Sequence, residues 1–216
     1  MRDLFHGDAP PLPPSPPPGL AEGVVLLRGH ADTAALAAPL RAVLDQAPLR
    51  RMSTPGGRTM SVAMSNCGPL GWVTDRRGYR YEPADPATGR PWPPMPGAFA
   101  ELAAEAARTA GFPGFRPDAC LINRYEPGAR LALHQDRDER DFGQPIVSVS
   151  LGLPAVFLLG GARRSDPVAR LRLEDGDVLV FGGPARLVHH GVKPVEAGEH
   201  PLLGACRINL TFRKAG

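Results

Sequence analysis

Ile146-Val-Ser-Val-Ser-Leu151 and Ala155-Val-Phe-Leu-Leu159 are short runs rich in β-branched and aliphatic residues, and Gly160-Gly161 closes the second. Apolar runs of this length, bounded by turn residues, read as strands rather than helices. Outward from them, Leu171-Arg-Leu173, Asp177-Val-Leu-Val-Phe181, Leu187-Val-His-His190 and Arg207-Ile-Asn-Leu-Thr-Phe212 continue the series toward the C-terminus. Leu131-Ala-Leu-His-Gln135 and Cys120-Leu-Ile-Asn-Arg-Tyr125 extend it toward the N-terminus. Pro127-Gly128, Asp175-Gly176 and Gly182-Gly183-Pro184 supply the turn chemistry between runs. Eight short strands so spaced predict a double-sheet jelly roll.

The first half reads differently. Val24-Val-Leu-Leu27 is a short buried strand, and Asp32 is placed to cap a helix running to about Gln46, with Ala35, Leu36, Leu40 and Leu44 near helical spacing. Pro96 to Ala110 is a second, alanine-rich helix stopped by Gly111. Between them, residues 50–96 hold Gly, Pro, Arg and aromatics without sustained periodicity, which predicts short strands and loops forming a lid. The proline-dense APPLPPSPPP at 9–18 predicts an extended arm over 1–20. The expected fold class is therefore α+β, mostly β: a double-stranded β-helix (jelly roll) core at about 117–213, with N-terminal helices and a lid, in one domain over 21–216.

Composition narrows the partners. The 216 residues carry a formal charge of +3, almost all of the positive charge from arginine, since Lys193 and Lys214 are the sole lysines. That balance favours a polyanionic partner only weakly. The 26 prolines and 25 glycines suit a loop-rich β protein. Cys67, Cys120 and Cys206 are odd in number and lack a C-x-x-C pair, which argues against a disulfide framework or zinc ribbon and for a reducing compartment. No apolar stretch reaches the length of a membrane span. A cytoplasmic monomer with no membrane partner is expected.

The chemistry starts at His134-Gln-Asp136. Side chains at i and i+2 of an extended segment share a face. Alone, such a pair is common and usually sits in solvent. A second histidine from the distant His189-His190 run would complete a three-point ligand set; adjacent strand residues face opposite ways, so only one can ligate, and spacing does not choose. Two imidazoles and one carboxylate leave other metal positions open, the arrangement of non-haem Fe(II) oxygenases. Arg207, Asn209, Thr211 and Arg213 alternate with Ile208, Leu210 and Phe212. In a half-exposed sheet the polar face meets water. In a jelly roll that encloses a site, the same face can clamp a dicarboxylate through its guanidiniums, with Asn123 and Tyr125 as further donors.

These motifs carry a family resemblance. His134-x-Asp136, His190, Asn123-Arg-Tyr125-x-Pro-Gly128, Ser148-Val-Ser-Leu-Gly152 and Arg207-x-Asn209-x-Thr-x-Arg213 resemble the bacterial AlkB family. So do Thr54-Pro-Gly-Gly57, Met60-Ser-Val-Ala-Met-Ser-Asn-Cys-Gly68 and Gly71-Trp72, so that the likeness runs from about residue 20 to the C-terminus. Proteins of that family are Fe(II)/2-oxoglutarate dioxygenases that demethylate alkylated nucleobases. The resemblance implies iron held by His134, Asp136 and His190. It implies the far carboxylate of 2-oxoglutarate on Arg207, Asn209 and Tyr125, and its chelating end beside Arg213 and Asn123. Trp72, Tyr79, Arg80 and Tyr81 match a nucleotide-recognition lid, and Asp138 and Arg164 match substrate contacts. O₂ is the second cosubstrate; methylated single- or double-stranded DNA, with RNA as a further candidate, is the implied partner. His189 and Phe181 depart from the family pattern, where an aromatic residue and Trp respectively are usual. Bases of the 1-methyladenine and 3-methylcytosine type are cationic, so a free Asp138 carboxylate and stacking aromatics suit them. A rival reading keeps the iron and hydroxylates a protein or small molecule; another has a silent jelly roll with a structural metal.

Overall fold

The computed structural model describes residues 21–216, and the expected proline arm lies outside them. In chain order the elements are β1 (Val24–Leu27), α1 (Thr33–Gln46), β2 (Arg50–Ser53), β3 (Thr59–Cys67), β4 (Gly71–Asp75), β5 (Gly78–Glu82) and α2 (Gly97–Thr109). There follow β6 (Ala119–Tyr125), β7 (Leu131–His134), β8 (Ile146–Gly152), β9 (Ala155–Leu159), β10 (Ala169–Leu173), β11 (Val178–Phe181), β12 (His190–Val192) and β13 (Arg207–Arg213). From β6 onward the chain passes back and forth between two sheets, with β9 and β10 forming a hairpin within one of them. The larger has the order β1-β11-β8-β13-β6-β3-β2, and the smaller β10-β9-β12-β7. This is the expected jelly roll, with eight strands from β6 to β13, one of them shifted from its expected place.

Three layers result. One face of the large sheet packs on both helices through Ile122, Val147, Val149, Val180, Leu210 and Phe212, which meet Leu36, Leu40, Val43, Phe99 and Ala103. The other face meets the small sheet around Leu26, Ile146, Leu179, Phe157 and Leu159. At ~25 cal/mol per Å² of apolar surface these two seams dominate the stability.

Asp32 caps α1 as expected, its carboxylate accepting from the amides of Ala34 and Ala35. The buried stripe is Leu36, Leu40 and Val43, while Ala35 faces solvent. That exposure also accommodates Pro39, which has no N–H to give the Ala35 carbonyl; water can satisfy it there. α2 ends at Gly111 with φ 91°, where Gly111 N bonds Arg108 O and Phe112 N bonds Ala107 O, a Schellman closure.

Two expectations need correction. The lid is smaller than 50–96. β2 and β3 belong to the large sheet, β3 pairing β6 from Ala63↔Arg124 to Cys67↔Cys120. The second half of β3 is buried on both faces, so no polar alternation marks it as a strand in the sequence. What stands apart is the β4–β5 hairpin and the loop after it. The other correction is the strand expected over Leu187–His190: residues 187–189 are not extended into the sheet, and β12 begins at His190.

Candidate metal and cosubstrate site

β7 and β12 pair antiparallel with His190 opposite His134. That register brings the two imidazoles together, ring centroids 4.4 Å apart. Asp136 follows β7 in a non-strand segment and turns its carboxylate between them, with Oδ1 3.7 Å from His134 Nε2 and Oδ2 3.8 Å from His190 Nε2. These gaps are too long for hydrogen bonds. They suit donors gathered around one ion, each about 2.1 Å from it once bound. All three ligand atoms fall within 4.8 Å of one another.

The ring tautomers fit the same reading. His134 Nδ1 lies 2.9 Å from Ala132 O and His190 Nδ1 3.2 Å from Val188 O. Each Nδ1–H donates to a carbonyl, which leaves Nε2 as a lone pair aimed at the centre. Burial, then the neighbouring His134, pushes the His190 pKa down to about 4, so it stays neutral and available. Burial works against the charge on Asp136, but Arg213 and the histidines outweigh it and hold the carboxyl well below its usual range. The site opens on one side: the His134 side chain is 40% exposed against 8% for His190. Phe157 stacks on His190 at 5.7 Å and Phe181 meets it edge-on at 5.2 Å, so Phe181 does the packing expected of a larger aromatic. His189 is outside the cluster; its backbone and ring bond Gly161 O.

The polar face of β13 does not meet water. Arg207, Asn209, Thr211 and Arg213 are all buried between the sheets. Arg207 is 1% exposed, its guanidinium 5.0 Å over the Tyr125 ring. Nη2 donates to Ser150 Oγ, while Nε and Nη1 are buried without a partner. Asn123 Oδ1 is likewise unpartnered. A buried guanidinium lacking an acid costs several kcal/mol, so the fold holds a cation ready for a carboxylate. Burial drives the Tyr125 hydroxyl pKa up to about 12, so it stays a donor. Asn123, Tyr125, Arg207, His134 and His190 line one cavity.

Asn209 and Arg213 sit in that region with other commitments. Asn209 Nδ2 donates to Ser148 Oγ and Val149 O, and Oδ1 accepts from Asn123 and Thr211. Both Asn209 amide hydrogens are thus bound within the protein, and its Oδ1 holds the Asn123 amide. Arg213 places Nε and Nη2 on Asp136 Oδ2 at 2.9 and 2.5 Å. It grips the metal-side carboxylate rather than standing free beside the cosubstrate.

The hairpin presents Trp72, Tyr79 and Tyr81 on one face, because Trp72 pairs Tyr81 and Thr74 pairs Tyr79. Trp72 and Tyr79 stack at 5.6 Å, and Trp72 Nε1 donates to exposed Asp138 Oδ2 at 2.8 Å. Asn66 docks the hairpin root by a reciprocal amide pair with the Trp72 backbone. Arg80 alternates to the opposite face and is locked by Asp75 and Glu82. Its charge is matched within the hairpin, and it lines a cavity with Tyr79, Tyr81 and Asp138. Arg164 is exposed and donates to Leu133 O, beside His134. Sequence reading missed Glu139 and Arg186, a buried pair at 2.9 Å. Nothing in their spacing, 47 residues apart, signals it.

The fold and donor set define a two-histidine, one-carboxylate oxygenase site with a carboxylate pocket beside it. The comparisons agree. The 2OG-Fe(II) oxygenase superfamily model matches residues 23–213. The chain is 57% identical to the Alpha-ketoglutarate-dependent dioxygenase AlkB of Escherichia coli (strain K12), over all of this chain and 99% of that one. It is 36% identical to an Arabidopsis thaliana protein named DNA N(6)-methyladenine demethylase ALKBH1C, over 67% of this chain and 38% of that one. A solved structure described as the structure of OsALKBH1 superposes with a TM-score of 0.80 at 30% identity, covering 90% of this chain and 98% of that one. The chain belongs to the AlkB family of 2OG-Fe(II) oxygenases.

Proposed function

We propose that the protein removes methyl groups oxidatively from alkylated bases, of the 1-methyladenine and 3-methylcytosine type, in single- or double-stranded DNA, and that RNA is a further substrate. The observation that carries this is the unpaired Arg207 guanidinium lying in the same cavity as the His134–Asp136–His190 cluster. His134, Asp136 and His190 would hold Fe(II). Arg207 and Tyr125 would take the far carboxylate of 2-oxoglutarate, with Asn123 turned toward the cavity by Asn209. Iron with 2-oxoglutarate and O₂ supplies the oxygen placed on the N-methyl carbon, with succinate and CO₂ released; the hydroxymethyl base then loses formaldehyde.

The protein's own work is binding, orientation and shielding. A base inside a duplex cannot reach this centre, so it is extruded or already single-stranded. Methylation of its pairing edge lowers that cost. The Trp72–Tyr79 stack offers an aromatic face, and Asp138 offers a carboxylate that a cationic base prefers. The name of the Arabidopsis relative supports a nucleic-acid substrate, and the aromatic hairpin supports it over a protein or small molecule. Three buried cysteines, all free, support a cytoplasmic setting; among the described residues no helix is long and apolar enough to cross a membrane. We take the active form to be a monomer. His134→Ala and Asp136→Ala should each abolish formaldehyde release from a methylated oligonucleotide; wild-type rates in either would remove the metal assignment.

A further inference from the structure

We propose that Glu139 is a positioning residue that ties the β4–β5 hairpin to the Asp136 carboxylate, so that seating of the hairpin and geometry at the metal are set together. The inference rests on the metal reading above.

Asp136 is held at both ends. Arg213 grips its carboxylate, and Arg186 Nη1 holds its main-chain carbonyl at 2.9 Å. Both guanidiniums then converge on one acid. Arg186 Nη2 reaches Glu139 Oε2 at 2.9 Å, and Arg213 Nε approaches Glu139 Oε1 at 3.4 Å. The same Oε1 accepts from the Tyr81 hydroxyl at 2.6 Å. Tyr81 lies on the hairpin face that carries Trp72 and Tyr79. A continuous chain of polar contacts therefore runs Tyr81–Glu139–Arg213–Asp136, with the Glu139, Arg186 and Arg213 side chains 2%, 4% and 7% exposed.

Stability alone does not account for this arrangement. Apolar side chains of similar volume commonly match or exceed a buried ion pair in stabilising a fold. Fixed geometry is what the charges add. Each guanidinium is planar and spends its donors in a set fork, so a shift of Glu139 is passed to Arg213 and on to Asp136. Linkage makes the effect reciprocal: a metal that fixes Asp136 steadies the hairpin, and a seated hairpin favours the ligating position of Asp136.

The experiment uses the full metal-free chain and Mn(II) alone. Mn(II) binding is followed by its EPR signal, and amide hydrogen exchange is read over residues 71–82 with and without the ion. In the wild type Mn(II) should slow exchange in the hairpin by about fivefold or more, the lower end of ordinary coupling energies. Tyr81→Phe deletes one hydroxyl and keeps the ring. It should bind Mn(II) yet lose most of that slowing, with its melting temperature little changed. Glu139→Gln, which keeps the volume and loses the charge, should lose that slowing too, but with a lowered melting temperature, because the buried Arg186 guanidinium is left without its acid. Equal slowing in wild type and Tyr81→Phe, or Mn(II) binding without slowing in the wild type, would overturn this proposal alone. Absence of Mn(II) binding would overturn the metal reading and this proposal together.

Discussion

Replacing Arg207 by Met should move stability and cosubstrate binding in opposite directions. The substitution keeps most of the side-chain length and deletes the charge. In the wild type Nε and Nη1 are buried without partners, and only Nη2 is used, on Ser150. A carboxylate against those two nitrogens makes two charge-assisted hydrogen bonds, each worth about 1.5–3 kcal/mol. Losing both should weaken 2-oxoglutarate binding by about 3–6 kcal/mol, which is ~10²–10⁴-fold in Kd. The free protein should not suffer, because exchanging a poorly compensated buried charge for apolar volume is neutral or stabilising by about 1–4 kcal/mol. Urea denaturation with and without 2-oxoglutarate, using Mn(II) in place of iron, reads both effects. At a ligand concentration of about 100 Kd the wild type gains about 2.7 kcal/mol from the ligand, and the variant at the same concentration should gain almost nothing. Arg207→Lys should restore only part of the binding, since one point charge cannot reproduce a planar fork. A Met variant that unfolds more readily than wild type yet keeps 2-oxoglutarate affinity within about threefold would refute the reasoning: Arg207 would then be a structural cation.

Three further outcomes are expected. Asp138→Asn should slow repair of cationic methylated bases more than that of neutral etheno-adducts, read by mass shift on matched oligonucleotides; equal slowing would argue against charge reading. Gly71→Ala should cost about 1–3 kcal/mol by overpacking, because the new methyl would lie 2.8 Å from Asn66 Cβ and nearer still to the Trp92 ring; an unchanged urea midpoint would show that the hairpin root yields freely. The folded His190 pKa of about 4, set chiefly by burial and then by His134, lies below the unfolded value near 6.5. The unfolded chain therefore binds more protons between those values, and the metal-free protein should lose stability as pH falls from about 6.5 toward 4, by on the order of 3 kcal/mol at 1.36 kcal/mol per pKa unit. His190→Asn should flatten that slope in pH-dependent denaturation.

Much of this molecule is legible in its sequence, and the parts that are not share a cause. The short runs of the jelly roll are visible because glycine and proline separate them, and Asp32 and Gly111 mark helix ends by local chemistry. The His134–Asp136 pair is visible because period two acts over adjacent residues. β3 is obscured where both of its faces are buried, which erases alternation. The β13 pattern is plain in the sequence, but alternation cannot say which face meets water; the second sheet decides that. The commitments of Asn209, Arg213 and Arg80 depend on partners distant in sequence or on strand register. Arg186 and Glu139 escape altogether, since they lie 47 positions apart and neither is on a regular strand.

The way the hairpin is mounted has an evolutionary consequence. β4 and β5 pair only with each other, and backbone attachment to the frame stops at Leu70, with Asn66 adding a side-chain brace at Trp72. The surface proposed to meet a substrate is thus a ribbon outside the hydrogen-bond ladders that make the domain fold. Selection can retune Trp72 or Tyr79 for a new lesion without disturbing strand pairing. Tyr81, Val73 and Thr74 are exceptions: the Tyr81 hydroxyl reaches Glu139, Val73 is buried in the core, and Thr74 Oγ1 donates to Ser53 O. Variation should therefore be tolerated at the outward positions of that ribbon and resisted at its inward anchors.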